Sequence, residues 1–200
     1  MTKPIRKRGR PSRKDEIVSA AESLLQKRGL NGMTTRAIAE AVPCSEGAIY
    51  VHFNDRVSLI LEVLHESLPD MLVPLHALAQ NVGRGTPERN LVTALAGLLK
   101  FQTRVVPMLC SIMSEPELLD RFRKTLTAEG KGPHRGIATL ANYIEQEQKL
   151  GRIDLEVDAK MAATVLMSCT LFHVFTERLL GSAARIDSKR LVQLAIRCSG

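Results

Sequence analysis

The 200-residue chain is 44% hydrophobic and 24% charged, as is usual for a soluble globular protein with one large domain or two unequal ones. Seven of its 28 Lys and Arg residues lie within residues 1–14, which contain no Asp or Glu, and this local charge predicts an anionic partner. The four scattered cysteines form no CxxC pair and no Cys/His cluster at zinc spacing, and no apolar stretch follows the basic N-terminus as in a signal peptide.

Nearly the whole chain is predicted to be helical, because apolar residues recur at spacings of three and four and strand-like alternation is absent. The first predicted helix covers about residues 13–28. Ser12 is its expected N-cap. Gly29 is its expected end, since glycine tolerates the left-handed backbone of a C-cap.

Two short helices are predicted next, at about residues 34–41 and 46–51. Thr34 and Ser45 are their expected N-caps, and Pro43 prevents the earlier helix from continuing into the later one. Two short helices joined by a tight turn are typical of a helix-turn-helix, whose second helix enters the major groove of DNA.

Polar and small residues occupy the outward face of this motif. Gly47 and Ala48 would allow a duplex to come close, while Tyr50 and His52 suit contacts with phosphate or with a thymine methyl group. We expect DNA contacts from Thr34, Thr35, Arg36, Ser45, Glu46, Gly47, Ala48, Tyr50 and His52.

Glu46 is the acidic residue on this face, and two interpretations of it stay open. It is either a solvated charge that interacts favourably with the helix dipole, or an acceptor for the amino group of a cytosine.

Residues 13–64 resemble the N-terminal domain of TetR-family transcriptional regulators. The matching runs are IVSAAESLLQKRG, MTTRAIAEAV and SEGAIYVHFNDRVSLILEVL. The chain departs from the family at Pro43 and Cys44, where the usual pattern is a glycine and an aliphatic residue. The resemblance implies DNA contacts at the positions given above and also at Arg56, which is usually a lysine.

A basic arm precedes the motif. Its Arg8-Gly9-Arg10-Pro11 run resembles the core of an AT-hook, in which an extended Arg-Gly-Arg fits a narrow minor groove. The alternative is a basic tail that adds only salt-sensitive affinity without sequence preference. Arg8 and Arg10 are the candidate contacts in either case.

The rest of the chain reads as further helices. Pro69 and Pro74 are expected to interrupt the chain after a linking helix, and residues 127–136 are expected to be a loop. Before this loop, helices are predicted from Thr86-Pro87-Glu88 to about Arg104, from Pro107 and from Pro116. After it, one helix is predicted to end at Lys149, and two more cover about 158–180 and 187–197. The predicted fold is all-α, with a basic arm (1–12), a helix-turn-helix domain (13–56, motif about 34–53), a linking helix (55–68) and a helical domain (69–200).

The helix from residue 159 to 180 is apolar around most of its circumference, and such a helix must be covered on two sides. Its own domain covers one side, and we expect a second subunit on the other. The family resemblance likewise implies a homodimer through the last two helices and therefore a palindromic operator. The candidate interface residues are Met161, Val165, Cys169, Leu171, Leu179, Leu191 and Leu194.

The resemblance also implies that the middle helices hold a small molecule whose binding releases the operator. Low aromatic content and seven methionines favour an apolar effector. For each candidate taken singly, an ordinary core role is the simpler interpretation. The candidates for this pocket are Leu98, Phe101, Met108, Met113, Phe122, Tyr143, Phe172 and Phe175.

No GxSxG, HExxH or P-loop motif is present, so we expect no enzyme activity, no metal and no cofactor. Residues 161–175, the most apolar segment, are expected to be too short to span a membrane. The predicted function is that of a cytoplasmic, dimeric repressor released from its operator by a small inducer. The alternative is an activator or a DNA-binding protein that takes no ligand.

Overall fold

The computed structural model describes residues 12–128, 130, 132–181 and 186–197, and the side chains of all these except 67–72 and 133. The predicted arm contacts Arg8 and Arg10, and also Cys198, lie outside the described residues. Within the described ranges the chain forms nine helices and no strand, which confirms the predicted all-α fold. In chain order they are α1 (Arg13–Gly32), α2 (Thr35–Ala41), α3 (Glu46–His52), α4 (Arg56–Gln80), α5 (Pro87–Met113), α6 (Pro116–Ala128), α7 (Pro133–Lys149), α8 (Ala159–Leu180) and α9 (Ser188–Ile196).

A reciprocal cap begins α1. The Ser12 hydroxyl accepts from the Asp15 amide, and the Asp15 carboxylate accepts from the Ser12 amide at 3.0 Å. The hydrogen bond from the Ser12 backbone lowers the pKa of the Asp15 carboxyl group. The helix does not end at Gly29 as predicted: a positive φ of 65° there makes a kink, and a further helical turn carries Leu30 into the core.

Each of the two short helices begins at its predicted cap. The hydroxyls of Thr34 and Ser45 accept from the amides of Ala37 and Ala48, three residues further on. Both helices pack against α1 and bury one isoleucine each, Ile38 and Ile49.

The expected interruption at Pro69 and Pro74 is wrong, because α4 runs through both prolines to Gln80, well beyond the predicted end at residue 68. A proline removes one helical hydrogen bond, but burial can outweigh that loss. Leu75 and Leu78, directly after Pro74, are buried in the core of the second compact unit.

The helix start expected at Pro107 is also wrong, since α5 continues through this residue to Met113. Val106 and Met108, on either side of the proline, are both buried, so packing holds one continuous helix. The loop predicted over 127–136 is shorter than expected, because α6 ends at Ala128 and α7 begins at Pro133.

The chain divides into two compact units, with the boundary between Glu66 and Ser67. In the second unit α8 packs against α5, α7 and α9. The side of α8 that faces these helices consists of small and aliphatic residues together with one polar residue, namely Ala159, Ala162, Ala163, Leu166, Met167, Thr170 and Val174.

A buried carboxylate fastens the turn after α4 to α7. Glu147 is fully buried, and its Oε1 accepts from the Gly83 amide at 3.0 Å. The Arg152 Nε lies 3.0 Å from Oε2, as an ion pair without hydrogen-bond geometry. Beside it the Tyr143 hydroxyl accepts from Asn90 Nδ2 at 3.0 Å, and burial raises the pKa of Tyr143 to about 12. The buried charge is thus compensated by the Gly83 amide and the Arg152 guanidinium.

Two helical glycines differ in what a side chain would meet. A Cβ on Gly97 would lie 2.5 Å from the Cβ of Pro74, whereas one on Gly136 would lie 2.8 Å from the mobile methyl end of Met167. Gly97→Ala should therefore lower the free energy of unfolding by about 1–3 kcal/mol, because α4 and α5 must separate. This loss should exceed the ~1 kcal/mol that alanine gains in helix propensity.

Gly136→Ala is the matched control and should stay within about 1 kcal/mol of the parent chain, since the Met167 side chain can move aside. Urea unfolding of both variants measures the difference. Equal stabilities would contradict the close helix contact at Gly97.

Candidate functional site

The expected DNA-contact residues all lie on α2, α3 or the residues that flank them. The opposite face of α3 is buried through Ile49, and Phe53 at its end is buried as well. Of the expected contacts, Thr34, Arg36, Ser45, Glu46, Gly47, Tyr50 and His52 are exposed, whereas Thr35, Ala48 and Arg56 are partly buried.

The hydroxyl groups on this surface have different partners. Thr34 and Ser45 use their oxygens to cap the helices, which leaves each hydroxyl hydrogen available to donate outward. Thr35 instead donates to the carboxylate of Glu46, with 2.5 Å between Oγ1 and Oε2. Glu46 therefore has a partner within the protein, which neither interpretation of its sequence position had included.

The cations of the motif are also paired. The Arg36 guanidinium forms an exposed ion pair with Glu40, with Nε 3.1 Å from Oε1. Arg56 donates to the backbone carbonyl of Leu30 and so joins the start of α4 to the end of α1. Its contact with DNA stays a prediction.

Residues 34–56 themselves carry little net charge. They contain two basic residues and three acidic ones, Arg36 and Arg56 against Glu40, Glu46 and Asp55. The strong positive charge belongs to residues 1–14. Attraction to an anionic partner must therefore depend mainly on the segment that precedes α2.

One exposed residue of α3 was missed by the sequence analysis. Val51 follows Gly47 by four residues and is 80% exposed, more than Tyr50 beside it. The helical spacing from Gly47 would have placed it on the outer face. An apolar side chain there is suited to contact with a thymine methyl group.

Residues 17–63 match the family model described as bacterial regulatory proteins of the tetR family. The matched segment runs from α1 into α4 and contains the whole surface described above. Over these residues the chain is of the TetR-family type. The transcriptional repressor KstR2 of Rhodococcus jostii is 35% identical over 63 residues, which are 32% of this chain and 31% of that protein. The alignment thus spans about a third of the length of this curated relative.

Solved structures extend the likeness to the whole fold. GusR of Salmonella enterica superposes with a TM-score of 0.67 at 21% identity, covering 92% of this chain and 95% of that one. FadR of Bacillus subtilis gives a TM-score of 0.64 at 15% identity, covering 90% and 96%. At these identities the likeness concerns the fold.

The structure divides the residues expected to line an effector pocket into exposed, partly buried and fully buried ones. Phe172 and Phe175 lie on the outer side of α8, because helical spacing turns them away from the buried Thr170 and Val174. Their placement in an internal pocket is therefore corrected. Of the others, Leu98, Met108 and Tyr143 are fully buried, Phe101 and Phe122 are partly buried, and Met113 is exposed.

An open cavity of about 400 Å³ lies elsewhere in the second unit, between the start of α5, residues 152–154 after α7, and the end of α9. Glu88, Arg152 and Arg197 are among its lining residues, so its wall is polar. None of the expected pocket residues lines it.

A stripe of five apolar residues and one serine runs along the outer side of α8 at alternating spacings of four and three. We call this the α8 stripe; it consists of Met161, Val165, Ser168, Phe172, Phe175 and Leu179, all of them exposed. Of the other expected interface residues, Leu171 and Leu194 are exposed, whereas Cys169 and Leu191 are partly buried.

By length and hydropathy alone, α5 and α8 could each cross a membrane, since α8 is longer than the 161–175 segment that it contains, but the core helix of a soluble protein passes the same test. One face of each helix lies in the core of the second unit.

Proposed function

We propose that this chain is a homodimeric transcriptional repressor that binds a palindromic operator and is released from it by a small, largely apolar molecule. The observation that carries the proposal is an exposed glycine, Gly47, within the helix α3. Glycine within a helix costs about 1 kcal/mol relative to alanine. Nothing in the chain demands it here, since a Cβ at this position would meet only Ser45 Oγ, 3.8 Å away. A closely approaching duplex supplies the missing reason.

The names of the relatives support repression as the sign of regulation. KstR2 of Rhodococcus jostii, which is 35% identical over 63 residues, is named a transcriptional repressor. Binding over a promoter would block transcription. We propose that the protein acts in the bacterial cytoplasm. An activator is the alternative, and deletion of the gene would distinguish the two, because loss of a repressor raises expression of the regulated gene.

The α8 stripe supports the homodimer. Its spacings of four and three keep the exposed residues on one line along the helix, as in a helix–helix seam. Two exposed phenylalanines in such a line are a large apolar area for a monomer. A second copy would cover it by a two-fold contact, and a two-fold dimer reads a palindrome.

The effector proposal rests on a buried amide in the second unit. Gln102 of α5 is only 5% exposed, and its amide nitrogen Nε2 donates to the sulfur of Met167 at 3.4 Å. Its Oε1 has no hydrogen-bond partner. An unsatisfied buried acceptor costs about 1–3 kcal/mol, which a bound molecule with a donor group would recover.

Leu98 and Met108 of the same helix are fully buried, and the apolar part of the effector would replace core contacts of such side chains. FadR of Bacillus subtilis, which shares the fold, was solved in complex with stearoyl-CoA. We therefore propose an effector with an apolar body and at least one hydrogen-bond donor.

Selection of bound duplexes from random DNA tests the DNA-binding proposal. We expect two inverted half-sites, each read by one recognition helix. Gly47→Ala should weaken operator binding about tenfold or more, because the added methyl group lies against the duplex. The same variant should be as stable as the parent chain to heat, or more so. No enriched sequence, or unchanged affinity of Gly47→Ala, would contradict the proposal.

The dimer is tested by placing a charge on the α8 stripe. Phe172→Glu should give a monomer in sedimentation equilibrium, because the dimer would bury two unpaired carboxylates. Met113→Glu is the control, since Met113 is 69% exposed, close to the 67% of Phe172, but lies outside the stripe. A dimer that survives Phe172→Glu would place the interface elsewhere.

Gln102→Leu tests the effector site. Without ligand the variant should unfold at a higher temperature, because it lacks the unsatisfied oxygen. With long-chain acyl-CoA or drug-like amphiphiles as probes, it should require more compound to release the operator. Release at the parent's concentrations would remove Gln102 from the effector site.

A further inference from the structure

The hydrogen bond between Thr35 and Glu46 joins two residues that both face the proposed DNA. Thr35 is the first residue of α2 and Glu46 the first residue of α3, eleven positions apart. The bond holds a flexible exposed carboxylate in one place, and it reduces the number of rotamers that would be lost on binding. Glu46 Oε2 is engaged in this way, and Oε1 accepts no hydrogen bond from any described residue.

A carboxylate at this position is selective because few groups on DNA can meet it. Phosphates repel it, and the acceptor atoms N7, O6 and O4 of guanine and thymine do the same in the major groove. Only the amino groups of cytosine and adenine donate there. Adenine also presents its N7 acceptor beside the amino group, whereas cytosine presents no acceptor of its own.

Neither arginine of the motif neutralises Glu46, so the carboxylate depends on the base for its second partner. Arg36 is paired with Glu40 and Arg56 is directed to Leu30, so neither is paired with Glu46. A base without a donor would leave the carboxylate desolvated and without a partner. Discrimination then comes from a penalty on the wrong base as well as from a contact with the right one.

From this geometry we infer that Glu46 selects cytosine at one position of each operator half-site and that Thr35 positions it. Thr35 is then a positioning residue for base recognition and not a phosphate contact. The inference rests on the proposed DNA binding and adds the base that is read and the pair of residues that reads it.

The test starts from the operator selected by the parent chain. The affinity for that duplex is compared with the affinities for duplexes in which each C·G pair of the half-sites is replaced by T·A. At one position we expect the parent chain to lose about tenfold or more, the range of a good base contact. Glu46→Ala should remove this difference and bind the T·A duplex more tightly than the parent chain does.

Variants of Thr35 separate positioning from phosphate contact. Thr35→Val keeps the shape of the side chain but lacks the hydroxyl group, and it should reduce the discrimination at that one position by about half or more on a logarithmic scale. Thr35→Ser retains the hydroxyl and should keep the discrimination. Thermal unfolding of each variant checks that α2 is still folded.

Three outcomes overturn the inference. A uniform loss of affinity with Thr35→Val, together with a smaller dependence on salt, would identify Thr35 as a phosphate contact. An operator in which no cytosine depends on Glu46 would overturn the inference while the proposed function stands. If selection yields no bound sequence at all, both fail.

Discussion

The recognition surface depends on the burial of a few apolar side chains by helices that are too short to persist alone. Both α2 and α3 have seven residues, and isolated helices of that length are unstable in water. Ile38 and Ile49 anchor them to a core shared with α1, and the threonine and serine caps satisfy their first amides. The positions of the outward residues follow from these two constraints, because the exposed face is whatever the buried isoleucines leave outside.

Electrostatic attraction to DNA and recognition of its bases are assigned to different parts of the chain. The segment of residues 1–14 carries seven basic side chains, whereas residues 34–56 carry two basic and three acidic ones. Long-range attraction to DNA is set by net charge and falls with salt, but base recognition depends on fixed donors and acceptors at short range. An acidic residue on the recognition helix is compatible with DNA binding only under this division.

The second unit is organised around α8, whose two faces have different surroundings. One face packs into the core with α5, α7 and α9, and the other presents the α8 stripe. Two of the buried polar side chains in this unit differ in how they are satisfied. Glu147 is compensated by an amide and a guanidinium from other elements, so it holds the turn after α4 in place. Gln102 keeps an acceptor without a hydrogen-bond partner, and the proposed effector would supply the missing donor.

The sequence by itself determined the helical class, the caps at Ser12, Thr34 and Ser45, and the outward face of α3 except for Val51. These features follow from local spacing and from hydrogen bonds between a side chain and an amide three residues further on. Tertiary structure decided what local rules could not. Packing carried α4 through Pro74 and α5 through Pro107, and it turned Phe172 and Phe175 outward. It also joined Thr35 to Glu46, since a contact between residues eleven apart depends on the angle between two helices, and only the shared core fixes that angle.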